Sequence, residues 1–357
     1  MNKSLLLLGV GGAGTTMVRG VTRAFGTPMR VHVTDTDAAS GAEGDIPFTL
    51  LGGSRLAGRG SGGQSAEARA AFEDDPSALD AVFDGLRTCV VLTALGGGTG
   101  GGATGGILKR LHASGISTML FATLPFSFEG ADRERAARSE AATLAREADV
   151  SVFLPLDDLV SGKDNMAEAL RQAHDMVSSG VTLLWRLIEK PGYLRLDPER
   201  LHAAITGAGR ARFAAASATG DDRVGTVLAA LAESPLLART KDSAPVRTIL
   251  AGVLAGDDLR LSEVAAVASG LSAAFGPEAK LEIGTVNDEL TFSGRLAVAV
   301  MLFEESPALA AQPAARAAAA RSPLAAHDRF GKTDKTIWEG EDLDIPTYLR
   351  RNLTLDR

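Results

Sequence analysis

Leu95-Gly-Gly-Gly-Thr-Gly-Gly-Gly-Ala-Thr-Gly-Gly106 follows directly on the apolar run Cys89-Val-Val-Leu-Thr-Ala94 and leads into Ile107-Leu-Lys-Arg-Leu-His112. The short apolar run bounded by glycines reads as a buried strand, and the segment after it has the spacing of a helix. A strand that empties into a stretch almost without side chains leaves backbone N–H groups bare. At a helix N-terminus such groups cradle phosphates. This is not the lysine-bearing phosphate loop, because no Gly-Lys-Ser/Thr follows.

The rest of the chain sets bounds on this reading. Its 357 residues suit two domains plus tails better than one core. A net charge of −7 gives nucleic acid nothing to bind, and no basic stretch with interleaved aromatics occurs. The single cysteine, Cys89, excludes an internal disulfide and cysteine zinc clusters, and its apolar strand makes it inert core. No apolar run approaches the roughly 20 residues of a membrane helix. Leu5–Leu8 is too short for the core of a signal peptide and reads as the first strand. A cytoplasmic location without direct membrane insertion is therefore expected, and no metal cage of protein ligands.

Short apolar runs alternate with helical patterns through the first half. Strands are expected at Leu5–Leu8, Arg30–Val33, Cys89–Thr93, Thr118–Thr123 and Val152–Leu154, and helices at Thr15–Phe25, Ala66–Arg87, Gly102–Ala113 and Arg133–Glu147. This alternation implies an α/β fold with a parallel sheet covered by helices on both faces. A long helix is expected over Met166–Ile188, ended by Lys190-Pro-Gly192. A second mixed α/β region follows, with strands at Thr248–Leu254, Lys280–Val286 and Leu296–Phe303 and a helix at Ser262–Phe275. The Ala/Pro stretch Pro307–Ala320 lacks an apolar face and reads as linker. The expected organisation is a nucleotide-binding domain over 1–165, a central helix over 166–190, a second domain over 191–305, a flexible linker over 306–340 and a partner-binding peptide over 341–357.

A second glycine loop, Gly9-Val-Gly11-Gly12-Ala-Gly14, follows the first strand, with Asp35 and Asp37 downstream. Alone it satisfies the dinucleotide fingerprint and admits a nicotinamide- or flavin-dependent oxidoreductase. A dinucleotide enzyme has no need of the denser loop at Gly96, whereas two loops clamping one triphosphate do. Gly96–Gly102 closely resembles the Gly-Gly-Gly-Thr-Gly-Thr-Gly signature of the tubulin/FtsZ family, departing only at Gly101, where Thr is usual. Asp35-Thr-Asp37, Gly58-Arg-Gly-Ser-Gly-Gly63, and Pro125-Phe-Ser-Phe-Glu-Gly130 with Arg133 resemble further motifs of that family. So do Ser234-Pro-Leu-Leu237, Gly256-Asp-Asp-Leu259 with Glu263, and Gly284-Thr-Val-Asn-Asp-Glu289. The tail Asp344-Ile-Pro-Thr-Tyr-Leu-Arg-Arg351 is similar to the partner-binding peptide of the family's FtsZ branch, which tubulins lack.

The resemblance implies the tubulin/FtsZ fold: a Rossmann-like parallel-sheet nucleotide domain, a long central helix and a second mixed domain. It implies a GTPase that binds GTP and GDP, assembles head to tail with its own copies and serves bacterial cell division at the division site. Gly11, Gly12, Ala13, Gly14, Thr15 and Thr16, with Gly96, Gly97, Gly98, Thr99, Gly100, Gly101 and Gly102, would offer amides to the α- and β-phosphates. Asp37 belongs to the same nucleotide-contacting set. Gly60, Ser61 and Gly62 would close on the γ-phosphate, and Glu129 and Arg133 would hold the ribose side. With no lysine in the phosphate loops, a Mg²⁺ ion bound mainly through the nucleotide supplies countercharge. In the tail, Ile345, Pro346, Tyr348 and Leu349 would anchor on a division partner such as a membrane tether, with Asp344, Arg350 and Arg351 adding polar contacts.

Four departures from the family pattern bear on mechanism. Thr16 stands where Asn is usual. Leu170 and His174 occupy the helix positions that would stack on and read the guanine. Leu156 replaces an Asn near the base. The segment that a neighbouring copy would deliver to the γ-phosphate reads Leu194-Arg-Leu-Asp-Pro-Glu-Arg-Leu201. Its Asp197 matches the first catalytic acid, Glu199 is an acid displaced by one position, and Arg200 replaces the second acid. A cation is no general base at neutral pH, although Arg200 can neutralise phosphate charge as an arginine finger does. Hydrolysis is thus expected to be retained but weak, the alternative being a nucleotide-binding filament or scaffold without efficient turnover.

Overall fold

The computed structural model describes residues 5–25, 30–42, 44–159, 171, 177–178, 180–182, 186–187, 192–196, 202, 204–206, 209–238, 243–304, 337–338 and 341–342. The chain divides into two compact units, 1–311 and 312–357.

The first strand, β1 (Leu5–Val10), shows why the sheet is sandwiched. Leu5 and Leu7 enter one apolar core, while Leu6, Leu8 and Val10 enter another. Successive side chains of a strand face opposite ways, so an unbroken leucine run is stable only when both faces are covered. Strand β4 (Thr88–Ala94) repeats the pattern, with Val90 and Leu92 on one side and Cys89 and Val91 on the other. With β2 (Val31–Asp35), β3 (Phe48–Leu50), β5 (Ser117–Leu124) and β6 (Val150–Pro155), these strands form an all-parallel sheet in the order β3-β2-β1-β4-β5-β6.

Strand β7 (Gly209–Thr219) touches β6 along only two residue pairs, Val150 with Gly209 and Ser151 with Arg210. Through this seam the sheet continues into β10 (Arg295–Glu304), β8 (Val246–Ala255) and β9 (Lys280–Asn287). β10 runs antiparallel to both of its neighbours, and β8 and β9 are parallel. β10 too is covered twice: Leu296, Val298, Val300 and Leu302 enter one core, and Ala297, Ala299, Met301 and Phe303 another.

The helices are α1 (Gly11–Phe25), α2 (Gly53–Leu56), α3 (Ser65–Asp74), α4 (Asp80–Phe83), α5 (Thr99–Ala113), α6 (Ala131–Glu147), α7 (Arg223–Glu233), α8 (Leu261–Phe275) and α9 (Glu289–Phe292). Several differ from expectation. The helix expected over Ala66–Arg87 is two, because Asp75 leaves helical backbone at φ −144° and Pro76 cannot donate to a continuing turn. α1 starts at Gly11 and α5 at Thr99, ahead of the expected starts at Thr15 and Gly102; packing against the sheet overrides the poor helix propensity of glycine. β3, β7 and α7 were not expected. The Phe-Ala-Ala-Ala-Ser-Ala core of β7 has helical composition, and its pairing with β10 makes it a strand.

Of the central helix expected over Met166–Ile188, the described residues 171, 177–178, 180–182 and 186–187 are helical. Ser178 donates to the Met17 carbonyl of α1 at 3.1 Å, and Arg186 donates to Asp288 at 2.9 Å. This helix therefore links the helix behind the first glycine loop to the end of β9. Leu156, the third departure, is core rather than site, 7% exposed and packed with Leu154 and Leu159. In the second unit, β11 (Ile337–Trp338) and β12 (Glu341–Asp342) pair antiparallel, so strand pairing crosses the expected boundary between linker and peptide. The rest of 305–357 lies outside the described residues, including Asp344, Ile345, Pro346, Tyr348, Leu349, Arg350 and Arg351.

Two polar features of the fold lead to measurable expectations. Arg223, 5% exposed, donates to Glu263 at 2.7 and 2.9 Å and to Asp258 at 2.6 Å, locking α7 to the start of α8. Arg223→Ala strips the largely buried Glu263 of its guanidinium, leaving it the Arg260 N–H at 2.9 Å, and is expected to cost about 3 kcal/mol, read as a lowered urea midpoint. His32 in β2 is buried against Thr49 at 2.8 Å. Burial, with the Arg30 charge adding to it, lowers its pKa to about 4. The unfolded chain then binds the proton first, so stability falls as pH drops from about 6.5 to 4, by on the order of 3 kcal/mol from this group. Denaturation midpoints of His32→Gln against pH are expected to show a correspondingly shallower slope.

Candidate functional site

The strand order reverses at β1 and β4, the place where open α/β sheets form a crevice at their carboxyl ends. The loops there surround a cleft of about 430 Å³. Gly11, Gly12 and Ala13 come from the end of β1, and Asp35, Thr36, Asp37 and Ser40 from the end of β2. Arg59, Gly60, Ser61, Gly62 and Gly63 come from the loop between α2 and α3. Gly97, Gly98, Thr99 and Gly100 follow β4, and Arg133 comes from α6.

Helices α1 and α5 start at this cleft without the usual protection. Gly98 gives α5 no side-chain cap, and neither helix has an acid in its first turn. The first amide satisfied within α5 is that of Gly102, bonded to the Gly98 carbonyl at 2.9 Å. Uncapped first-turn N–H groups and the positive end of the helix dipole are together an anion site. Glycine is obligatory at its closest point: a Cβ on Gly100 would overlap the Ala94 carbonyl oxygen and reach within 2.6 Å of the Thr93 hydroxyl.

A hydroxyl network braces the floor of the cleft. Asp35, 4% exposed, accepts from the Thr99 hydroxyl at 2.6 Å, the Ser40 hydroxyl at 2.6 Å and the Thr36 N–H at 2.7 Å. Thr36 and Thr99 share a further hydroxyl contact at 2.7 Å. Both Asp35 oxygens are thus spent inside the protein, whereas a dinucleotide site needs such an acid free for a ribose. Asp37 caps the next turn by accepting from the Ala39 N–H at 2.9 Å. The loop over 58–63 is fastened to the same segment: Ala38 N–H reaches Gly58 O at 2.9 Å, and Gly60 N–H reaches Thr36 O at 3.1 Å. Ser61 is buried and stands against Gly98, where a Cβ would overlap its hydroxyl.

Some residues of the sequence-derived site are placed elsewhere. Gly14 packs under the Leu92 carbonyl, where a Cβ would overlap it. Thr15 is 1% exposed, and its hydroxyl has no partner among the described residues. Thr16 is exposed and returns its hydroxyl to the Gly12 carbonyl at 3.1 Å. Gly96 does not offer its amide to the cleft, because it donates to Glu140 Oε2 at 2.8 Å. Gly101 and Gly102 line a second hollow on the far side of α5. Glu129 accepts from the Phe126 N–H at 2.9 Å and pairs with Arg133 at 3.0 Å, so Arg133 is the member of that pair lining the cleft. Leu170, His174, Asp197, Glu199 and Arg200 lie outside the described residues.

The stem leading to Asp197 is described and firmly held. Thr285 accepts the Gly192 N–H at its carbonyl (2.7 Å) and the Leu194 N–H at its hydroxyl (2.9 Å), and donates its own N–H to the Leu194 carbonyl at 2.9 Å. Tyr193 and Leu194 stay exposed beside this clamp, while Leu196 is buried. Sequence reasoning missed Thr36, Ser40 and Arg59 as cleft residues. Arg59 had a signal: it is a cation between Gly58 (φ +71°) and Gly60 (φ +75°), inside a glycine loop. Among the described residues, no three His, Cys, Asp or Glu side chains gather into a metal site, and no helix is long and apolar enough to cross a membrane. Cys89 is fully buried, and burial drives its thiol pKa far up, so it is no nucleophile.

Comparison with known proteins agrees with this geometry. Residues 4–162 match the family model of the Tubulin/FtsZ family, GTPase domain. Cell division protein FtsZ of Wigglesworthia glossinidia brevipalpis is 29% identical over 293 residues, 80% of this chain and 76% of that protein. Cell division protein FtsZ of Magnetospirillum gryphiswaldense is 28% identical over 329 residues, 91% of this chain and 58% of that protein. Among solved structures, an FtsZ dimer from M. jannaschii superposes with a TM-score of 0.78 at 23% identity, covering 84% of this chain and 87% of that one. A GTPγS-bound protofilament of CetZ2 from Haloferax volcanii gives 0.72 at 22% identity, covering 89% and 100%. Two uncapped helices over a glycine floor, on a sheet of this order, thus coincide with these matches: over residues 4–162 the chain is similar to the GTPase domain of the tubulin/FtsZ family, and along most of its length it resembles FtsZ.

Proposed function

We propose that this chain binds GTP and GDP in the cleft, assembles head to tail with copies of itself, and hydrolyses GTP slowly at the junction as a cytoskeletal protein of bacterial cell division. The observation that carries this reading is the convergence of two glycine loops and two uncapped helix N-termini on one cleft. The amides at Gly11–Ala13 and at Thr99–Gly100 receive the α- and β-phosphates. Ser61 and the glycines beside it meet the γ-phosphate, and Arg59 and Arg133 add charge at the rim. On the family resemblance, contact with the guanine is assigned to Thr16, Leu170 and His174. Both Asp35 oxygens already accept hydrogen bonds within the protein, which fits a Mg²⁺ carried mainly by the phosphates; it would supply countercharge there.

Hydrolysis is assigned to the neighbouring copy. The Thr285 clamp fixes the stem of the loop that delivers Asp197, with Glu199 beside it, to polarise water against the γ-phosphate. Arg200 neutralises charge there. A protofilament among the structural neighbours, and relatives named as cell division proteins, support assembly and its use in division. The tail peptide Asp344–Arg351 docks on a division partner such as a membrane tether.

Sedimentation of the purified chain with GTP, GDP, ATP and a non-hydrolysable GTP analogue, read together with phosphate release, tests this. Pelleting with GTP and the analogue but not GDP is expected, with phosphate release that rises steeply with protein concentration. No pelleting with any nucleotide would refute assembly. Pelleting with phosphate release at the buffer rate would refute hydrolysis and leave a scaffold.

A further inference from the structure

Helix α6 meets the second glycine loop along one stripe. Arg133, Ala137 and Glu140 recur at the spacing of a single helix face, and all three contact the loop. Gly96 lies flat on that stripe with φ +77°; a Cβ there would sit 2.8 Å from the Arg133 carbonyl and 3.3 Å from the Ala137 methyl. Two turns beyond Arg133, Glu140 Oε2 accepts the Gly96 N–H at 2.8 Å. The carboxylate occupies the space left open at Gly101, where a Cβ would overlap it. Glycine at 101, the one departure from the family signature in this loop, therefore leaves open the space that the Glu140 carboxylate takes up on reaching the loop.

Glu140 lies partly buried in this position. Burial raises its pKa, and the Gly96 amide, the Ser65 hydroxyl and the Arg69 charge pull the other way. Its hydrogen bond to Gly96 joins a charged acceptor to a backbone donor, the stronger class of hydrogen bond. Gly96 is also where the chain leaves β4 and turns towards the uncapped start of α5.

We propose that Glu140 is a positioning residue for nucleotide binding: its carboxylate, standing in the space that glycine leaves at 101, holds the Gly96 amide and so sets Gly97–Gly100 in the shape that receives the phosphates. This rests on the nucleotide-binding reading given above. Glu140 does not line the nucleotide cleft, so it acts through the loop.

The test combines GTP titration of the full chain with hydrogen exchange at the Gly96 amide. Glu140→Ala is expected to weaken GTP binding about tenfold and to speed Gly96 exchange, while Glu140→Gln, which keeps an acceptor oxygen, stays within about threefold of wild type. Gly101→Thr is expected to weaken binding about tenfold in the wild-type background and much less in the Glu140→Ala background, because the space is then free. Unchanged GTP affinity in Glu140→Ala would overturn the proposal. So would a Gln variant as weak as the Ala variant, or a Gly101→Thr penalty equal in both backgrounds. A wild-type chain that fails to bind GTP would refute the nucleotide reading, and with it the binding role of Glu140. Unchanged Gly96 exchange in Glu140→Ala would by itself remove the holding interaction.

Discussion

Gly100→Ala is expected to abolish nucleotide binding, weakening GTP affinity by at least about a hundredfold, or roughly 2.7 kcal/mol. The cause is steric and local. A methyl at position 100 overlaps the Ala94 carbonyl oxygen and approaches the Thr93 hydroxyl at 2.6 Å. Backbone cannot yield as a flexible side chain does, so the first turn of α5 must move away from β4. That turn carries the Thr99 and Gly100 amides and the Thr99 hydroxyl that Asp35 holds at 2.6 Å. Overpacking of this kind also costs about 1–3 kcal/mol of stability, comparable to the expected loss in binding, so the fold of the variant is checked alongside its affinity. Gly105→Ala on the same helix is the control. Its Cβ would meet only the Leu144 Cδ2 at an ordinary 3.5 Å, so binding is expected to persist with a small gain in stability. Calorimetric titration with GTP, alongside the far-ultraviolet circular dichroism of both variants, reads the difference. Wild-type affinity in Gly100→Ala would show that the α5 N-terminus does not carry the phosphates.

Asp197→Ala is expected to eliminate assembly-dependent turnover while leaving GTP binding within about twofold. A positioned carboxylate that polarises water contributes about 10² to 10⁴ in rate, so its loss brings a weak activity to background. The expectation follows from the proposed division of labour between copies: the cleft is lined from the ends of β1, β2 and β4, the loop over 58–63 and α6, and the stem of the segment proposed to carry catalysis hangs from β9 through Thr285. Phosphate release at several protein concentrations, paired with a binding isotherm, separates the two roles. Turnover equal to wild type would remove Asp197 from the mechanism, and lost binding would place it in the cleft of its own copy.

The strands of the first sheet were legible because burial on two faces forces unbroken apolar runs, as at Leu5–Leu8 and Cys89–Leu92. The glycine loops were legible because side chains are missing where helices must begin on bare backbone. What stayed hidden depends on partners far along the chain. β7 is a strand because Ala214–Ser217 pair with β10, although their composition reads as helix. The split between α3 and α4 turns on the backbone at Asp75-Pro76. Within the site, sequence identified the glycines but could not say which amides are already spent. Gly96 seemed equal to its neighbours until Glu140, 44 positions on, proved to hold its N–H. Asp35, one of the two acids the dinucleotide fingerprint would offer to a ribose, accepts instead from Thr99, Ser40 and Thr36.

The measurement that bears most directly on the central claim is ligand-dependent thermal stability with GTP, GDP, ATP and NAD in the presence of Mg²⁺. A ligand that binds only the folded chain raises its melting temperature with concentration. Saturable upward shifts with GTP and GDP, lost in Gly100→Ala, and no shift with NAD, are predicted. A shift with NAD and none with GTP or GDP would contradict the account.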